Sequence, residues 1–282
     1  MNSSPARSAL RFACAGAVAL LAFSSVCRAQ GEGVSNQTQM GAMGGGMTDQ
    51  LQFGNFGAQV AKDQDAAYKA FLKEQDPAKK IELGNTFLAK YPTSLLAEPI
   101  DVGMMNTYRV AQDWKNAFKY ADSALKLQPD DVDVLATVGW TIPHVYNPGD
   151  PDADRQLDKA EKYSKHALEV LAKMAKPPGM NDSQFADAKT KRAFQAHSAL
   201  GLVYFRRDDY ENSAKELQLA TQGNTTPDQT DLYVLGVDLQ NLNRFEEAAS
   251  AFDACAQIAG PLHDNCRQTE QAAKAKAASK SK

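Results

Sequence analysis

Histidine is scarce in this chain: 282 residues hold four, His144, His166, His197 and His263, and no two stand four apart as a metal pair on one helix requires. There is no glycine-rich phosphate loop, no Gly-x-Ser-x-Gly elbow and no His-Glu-x-x-His. The sequence marks of nucleotide binding, serine hydrolysis and zinc peptidase chemistry are therefore missing. Serine and aspartate are plentiful, but a triad is defined by side chains that meet in space and not by abundance. We expect no catalytic residues and no cofactor. Basic charge is lacking as well: the formal net charge is −3, and setting aside Arg7, Arg11 and Arg28 leaves −6 for the remainder. A mildly acidic surface argues against nucleic acid, whose phosphates need a basic face. No stretch alternates apolar and polar residues as a strand does, and the apolar run 12–26 is too short for the roughly 20 residues of a membrane-crossing helix.

That run has another use. Arg7 and Arg11 precede it, and Cys27-Arg28-Ala29 follows it with small residues of the kind a signal peptidase accepts. The reading is a signal peptide over 1–29, cleaved near Ala29, and a periplasmic or secreted mature chain. An uncleaved anchor is disfavoured by the run's length, and a lipid attached at Cys27 by Ser24-Ser25-Val26 in place of a lipid-attachment signal. Membrane association is thus compatible with the sequence but not required by it. Residues 30–58, rich in Gly, Gln and Met with almost no charge, read as a flexible linker. Their methionines suit a soft metal in kind but not in spacing, since no His or Cys is interleaved. Cleavage leaves Cys255 and Cys266 in an oxidising compartment, separated by the Gly260-Pro261 turn, where a disulfide would staple consecutive helices; two buried thiols are the other reading.

From about residue 60, apolar residues recur at three and four, and breakers recur at Asp76-Pro77, Tyr91-Pro92, Pro129-Asp130, Pro143, Pro177-Pro178-Gly179, Gly223 and Gly260-Pro261. The segments between them repeat. Leu200-Gly201-x2-Tyr204, with Tyr210, Ser213, Leu217 and Ala220, returns 35 residues later as Leu235-Gly236-x2-Leu239 with Phe245, Ala248, Phe252 and Cys255. Met104-Met105-x2-Tyr108 precedes Trp114, Ala117, Ala121 and Ala124. Val138-Gly139-x2-Ile142 opens a unit that resumes at Ala160, Ser164 and Ala167 after an insertion, and a looser unit runs from Ala61 through Phe71, Ile81 and Phe87 to Pro92. Gly201 and Gly236, with Ala117, Ala160 and Ala248 opposite, allow two helices to approach closely, and large aromatics fill the space around them.

These residues resemble the tetratricopeptide repeat, over about 61 to 261. The resemblance implies an all-α fold, an α-solenoid of about five stacked helix-turn-helix (TPR-like) repeats with a C-terminal capping helix. The implied organisation is a repeat domain over 59–262 and a capping helix with tail over 263–282. Departures are Met105 for the small glycine, Ser213 for an alanine, and the split third unit.

The resemblance also implies function: an exported scaffold or adaptor of the bacterial cell envelope that binds a partner protein or peptide in the concave groove of the solenoid. The residues expected there are Asn106, Arg109, Trp140, Phe205, Arg206, Tyr233 and Gln240, since aromatic and arginine side chains carry much interface energy. An accessory subunit of an outer-membrane assembly machine is the alternative. A further alternative is a calcium-dependent module in 147–161, where Asp150, Asp152, Asp154, Asp158 and Glu161 follow the spacing of a 12-residue calcium loop. Against it, Arg155 stands where that loop needs glycine, and acidic residues also suit the start of a helix.

Overall fold

The computed structural model describes residues 62–280; the expected signal peptide, 1–29, and linker, 30–58, lie outside them. Among the described residues there are eleven helices and no strand. In chain order they are α1 (Lys62–Lys73), α2 (Pro77–Lys90), α3 (Ala97–Val110), α4 (Trp114–Leu127), α5 (Val132–His144), α6 (Ala153–Lys173), α7 (Asp182–Arg206), α8 (Tyr210–Thr221), α9 (Gln229–Asn241), α10 (Phe245–Ala256) and α11 (His263–Lys280). Taken in pairs, α1–α2 to α9–α10 are five helical hairpins, and α11 follows them. The described residues form an all-α fold of repeated helical hairpins. No described helix is long and apolar enough to cross a membrane.

The helix ends follow from local chemistry. Asp76, Asp113, Asp209 and Asp228 each accept a hydrogen bond from a backbone N–H of the first turn they precede, and Asp131 accepts from Asp133 and Val134 N at the start of α5. Each satisfies a donor that the helix itself leaves open. The hairpin turns recur as well. Gln112, Asp208 and Asn243 are the non-glycine residues with positive φ, at 58°, 62° and 59°. At each of these turns the N–H of that residue donates three residues back, and the N–H of the next donates five back, to Tyr108, Tyr204 and Leu239 respectively. This is the closing motif of a helix that reverses into its partner. Asp208 and Asn243 stand 35 residues apart, the same interval as Gly201 and Gly236, so the turn and the helix contact keep one register.

The described chain divides into two compact units, residues 62–138 with 170–188, and residues 139–169 with 189–280. In the first, Phe71 of α1 is 1% exposed, and its ring fills the space beside Gly84 and Gly103. Tyr108 stacks on Tyr120 at 5.5 Å, whose hydroxyl donates to Asn85 Oδ1 at 2.7 Å. In the second, α9 is the centre. Every residue from Asp231 to Leu239 is buried, between α8 on one side and α10 on the other. Gly201 packs on Leu217, Gly236 on Phe252 and Gly139 on Ser164. A disulfide joins Cys255 of α10 to Cys266 of α11, with Cα atoms 5.8 Å apart.

Two local features differ from the sequence reading. Pro143 lies inside α5 and does not end it; its ring removes one hydrogen bond, to the carbonyl four residues back, while the bond from Val145 N to Thr141 O is still made. Helices α6 and α7 run to 21 and 25 residues, well beyond the 12 to 14 of the other hairpin helices, because no glycine or proline interrupts 153–173 or 182–200.

Burial of α9 places two carboxyl groups in the core. Asp238 is 0% exposed, and burial raises its pKa to about 8. Its Oδ2 lies 2.5 Å from Ser213 Oγ, which is 2.8 Å from Gly201 O. A hydroxyl has one proton to give, so protonated Asp238 donates to Ser213, and Ser213 donates to the carbonyl. The unfolded chain releases this proton near pH 4, whereas the folded chain keeps it to about pH 8. Stability therefore falls as pH rises across that window, by at most about 1.4 kcal/mol per pH unit. Asp238→Asn is expected to flatten this slope in urea titrations between about pH 5 and about pH 8; an unchanged slope would show that the carboxyl is ionised in the fold.

Candidate functional site

The polar and aromatic side chains left over from packing gather in the second unit, where α5 and α7 end. Trp140 and His144, one turn apart on α5, bring their rings to 3.9 Å. His144 Nδ1 donates to the Trp140 carbonyl one turn back at 2.7 Å. From the last turn of α7, Arg206 reaches across. Its guanidinium lies 5.3 Å from the Tyr146 ring and 6.0 Å from that of Phe205, and one amino group donates to Pro143 O at 3.4 Å. Phe205 continues onto Tyr210 at 6.3 Å. Trp140, His144, Tyr146, Phe205 and Arg206 are all partly exposed, so this is a surface cluster with its side chains held in place.

At the edge of the cluster, α9 begins with Asp228, which caps it through Thr230 N at 2.7 Å, and Asp231, which accepts from Ser198 Oγ at 2.8 Å. Burial drives the Asp231 carboxyl well above its usual range, and the charge of Asp228 adds to the effect. Burial lowers the His144 pKa; the charge of Asp228 and the bond to the Trp140 carbonyl oppose this, and the Arg206 charge adds to it. The imidazole is thus neutral at pH 7, with its proton on Nδ1.

Of the seven residues expected in a groove, Trp140, Phe205 and Arg206 belong to this cluster. Tyr233 does not line a surface: it is 4% exposed and packs on Phe252 at 5.6 Å, because α9 is enclosed on all sides and has no free face. Gln240, one residue beyond the enclosed stretch, is partly exposed. Asn106 and Arg109 are partly exposed on α3, in the other unit.

The acidic insertion takes a different form from a calcium loop. Helix α6 starts at Ala153, so Asp154, Asp158 and Glu161 lie along a helix and not around a point. Asp158 accepts from Arg207 at 2.5 Å, and Glu161 pairs with Arg207 and Lys165. Asp152 pairs with Arg155 at 2.6 Å, and Asp150 accepts from Asn147 at 2.9 Å. The convergence of His144 with Asp228 and Asp231 was not visible in the sequence, since it joins residues more than eighty apart. The one local signal was Asp228 as the capping residue of α9.

No protein-family model matches the sequence, and no curated protein matches it. Among solved structures, the crystal structure of PilW, described as a widely conserved type IV pilus biogenesis factor, aligns at 14% identity with a TM-score of 0.48. The alignment covers 78% of this chain and 93% of that one. The all-α assignment rests on the five hairpins and their recurring turns.

Proposed function

We propose that this chain is a protein-binding scaffold of the bacterial cell envelope, a tetratricopeptide-type binding protein and not an enzyme, whose contact surface includes the cluster of Trp140, Tyr146, Phe205 and Arg206. The observation that carries this reading is the cluster itself. Tryptophan and tyrosine carry much binding energy because they bury much area with few free rotors, and arginine because its planar guanidinium offers a fork of donors. Here their side chains are fixed by ring contacts and by the Pro143 carbonyl before any partner arrives, which lowers the ordering cost of association. The envelope setting is supported by the export-type segment 1–29 and by the Cys255–Cys266 disulfide, a bond that persists in oxidising compartments.

Untagged residues 30–282, coupled to resin, are expected to retain a specific protein from envelope extract. A Trp140→Ala, Arg206→Ala variant with unchanged circular dichroism is expected to lose it, with affinity lower by about tenfold or more. Equal retention by both proteins would place the contact elsewhere.

A further inference from the structure

We propose that His144, Asp228 and Asp231 bind a divalent first-row transition cation of the zinc type, tying the end of α5 to the start of α9. One imidazole nitrogen and one oxygen from each carboxylate lie within 4.8 Å of one another. Ligands about 2.1 Å from a tetrahedral zinc ion stand about 3.4 Å apart, so small side-chain rotations complete the set.

Three further observations point to a ligand. First, the Nδ1–H of His144 is committed to the Trp140 carbonyl, which leaves the lone pair on Nε2. That atom is sealed from solvent and has no hydrogen-bond partner. A histidine whose other nitrogen is anchored on a backbone carbonyl is the usual support for a metal ligand. Second, each carboxylate is anchored independently of the histidine: Asp231 by Ser198 Oγ, and Asp228 by Thr230 N. Third, no cation compensates the pair: the Asp231 carboxyl, 3% exposed, is driven towards its neutral form by burial and by the charge of Asp228, and among the described residues neither group forms an ion pair. Arg206, the nearby cation, is directed to Pro143 and Tyr146. A divalent ion would take the place of the Asp231 proton, compensate both carboxylates and accept the Nε2 lone pair. The imidazole favours a zinc-like ion over magnesium or calcium, which prefer oxygen alone.

The test is calorimetry on untagged residues 30–282 after chelation, titrated with zinc chloride, with calcium and magnesium chloride as separate probes. The expected result is one zinc equivalent per chain, a raised melting temperature, and little response to calcium or magnesium. Cobalt(II) in place of zinc should give visible d–d bands. His144→Ala is expected to weaken binding by about tenfold or more. Asp228→Ser, which keeps a capping oxygen for α9 but removes the carboxylate, should do the same with the fold intact. Absence of zinc binding by the wild type, or binding unchanged in both variants, would overturn the proposal; the second outcome would assign the metal to another part of the chain.

Discussion

Gly236→Val is expected to cost about 3 kcal/mol or more of stability, and Gly236→Ala less than half as much. A β-carbon placed on Gly236 comes within 2.5 Å of Phe252 Cε1 and 2.7 Å of Cδ1 and Cζ. The ring has nowhere to retreat, since Phe252 is 0% exposed and packed among Leu217, Tyr233, Ala248 and Cys255. An alanine recovers about 1 kcal/mol through helix propensity, which offsets part of the clash; valine adds two methyl groups and a stiff χ1. Urea denaturation monitored by circular dichroism gives the difference. Phe252→Leu in the Gly236→Ala background should restore part of the loss, as expected of residues in contact. Gly149→Ala, which meets nothing closer than 3.4 Å, is the control and should be near neutral.

Removal of the Cys255–Cys266 bond has the second large effect. The two cysteines are 11 residues apart, and closing a loop of that length constrains the unfolded chain by about 3 kcal/mol. Helix α11 depends on the bond more than other helices do, because its sequence is polar and only Cys266 and Ala273 are buried along it. Beyond the bond, α11 lies along α10, largely through small or polar side chains: Lys276 and Lys280 each lie 5.6 Å from the Phe245 ring, and Lys280 donates to Asn243 O at 3.2 Å. Hydrogen exchange on the Cys255→Ala, Cys266→Ala variant should show protection lost first over 263–280, with 62–138 little changed. Uniform loss across the chain would mean that α11 is integral to the core and not a cap.

The hairpins were legible because close helix contact demands a missing side chain. Gly201 and Gly236 show that demand in the sequence, and Asp208 and Asn243, residues that tolerate positive φ, mark the turns at the same interval. The cysteine pair was legible for a similar reason, since a turn places the two within reach. The inward-facing residues were less so. Tyr233 was expected in a groove, and aspartates such as Asp231 and Asp238 ordinarily stay exposed, but α9 is covered along 231–239, and that depends on which helices lie against it. Pro143 read as a break, yet its position in a final helical turn costs little. The grouping of His144 with Asp228 and Asp231 follows from the fold alone, and no spacing rule connects residues so far apart.

The central claim is that the Trp140, Phe205 and Arg206 cluster touches a protein partner. Its most direct test is a photo-crosslinking amino acid placed singly at 140 and at 205, with exposed positions Lys119 and Lys162 as controls, in cells that export the chain. The account predicts one discrete protein adduct from both cluster positions and none from the controls. Adducts from the controls alone, or from no position, would contradict it.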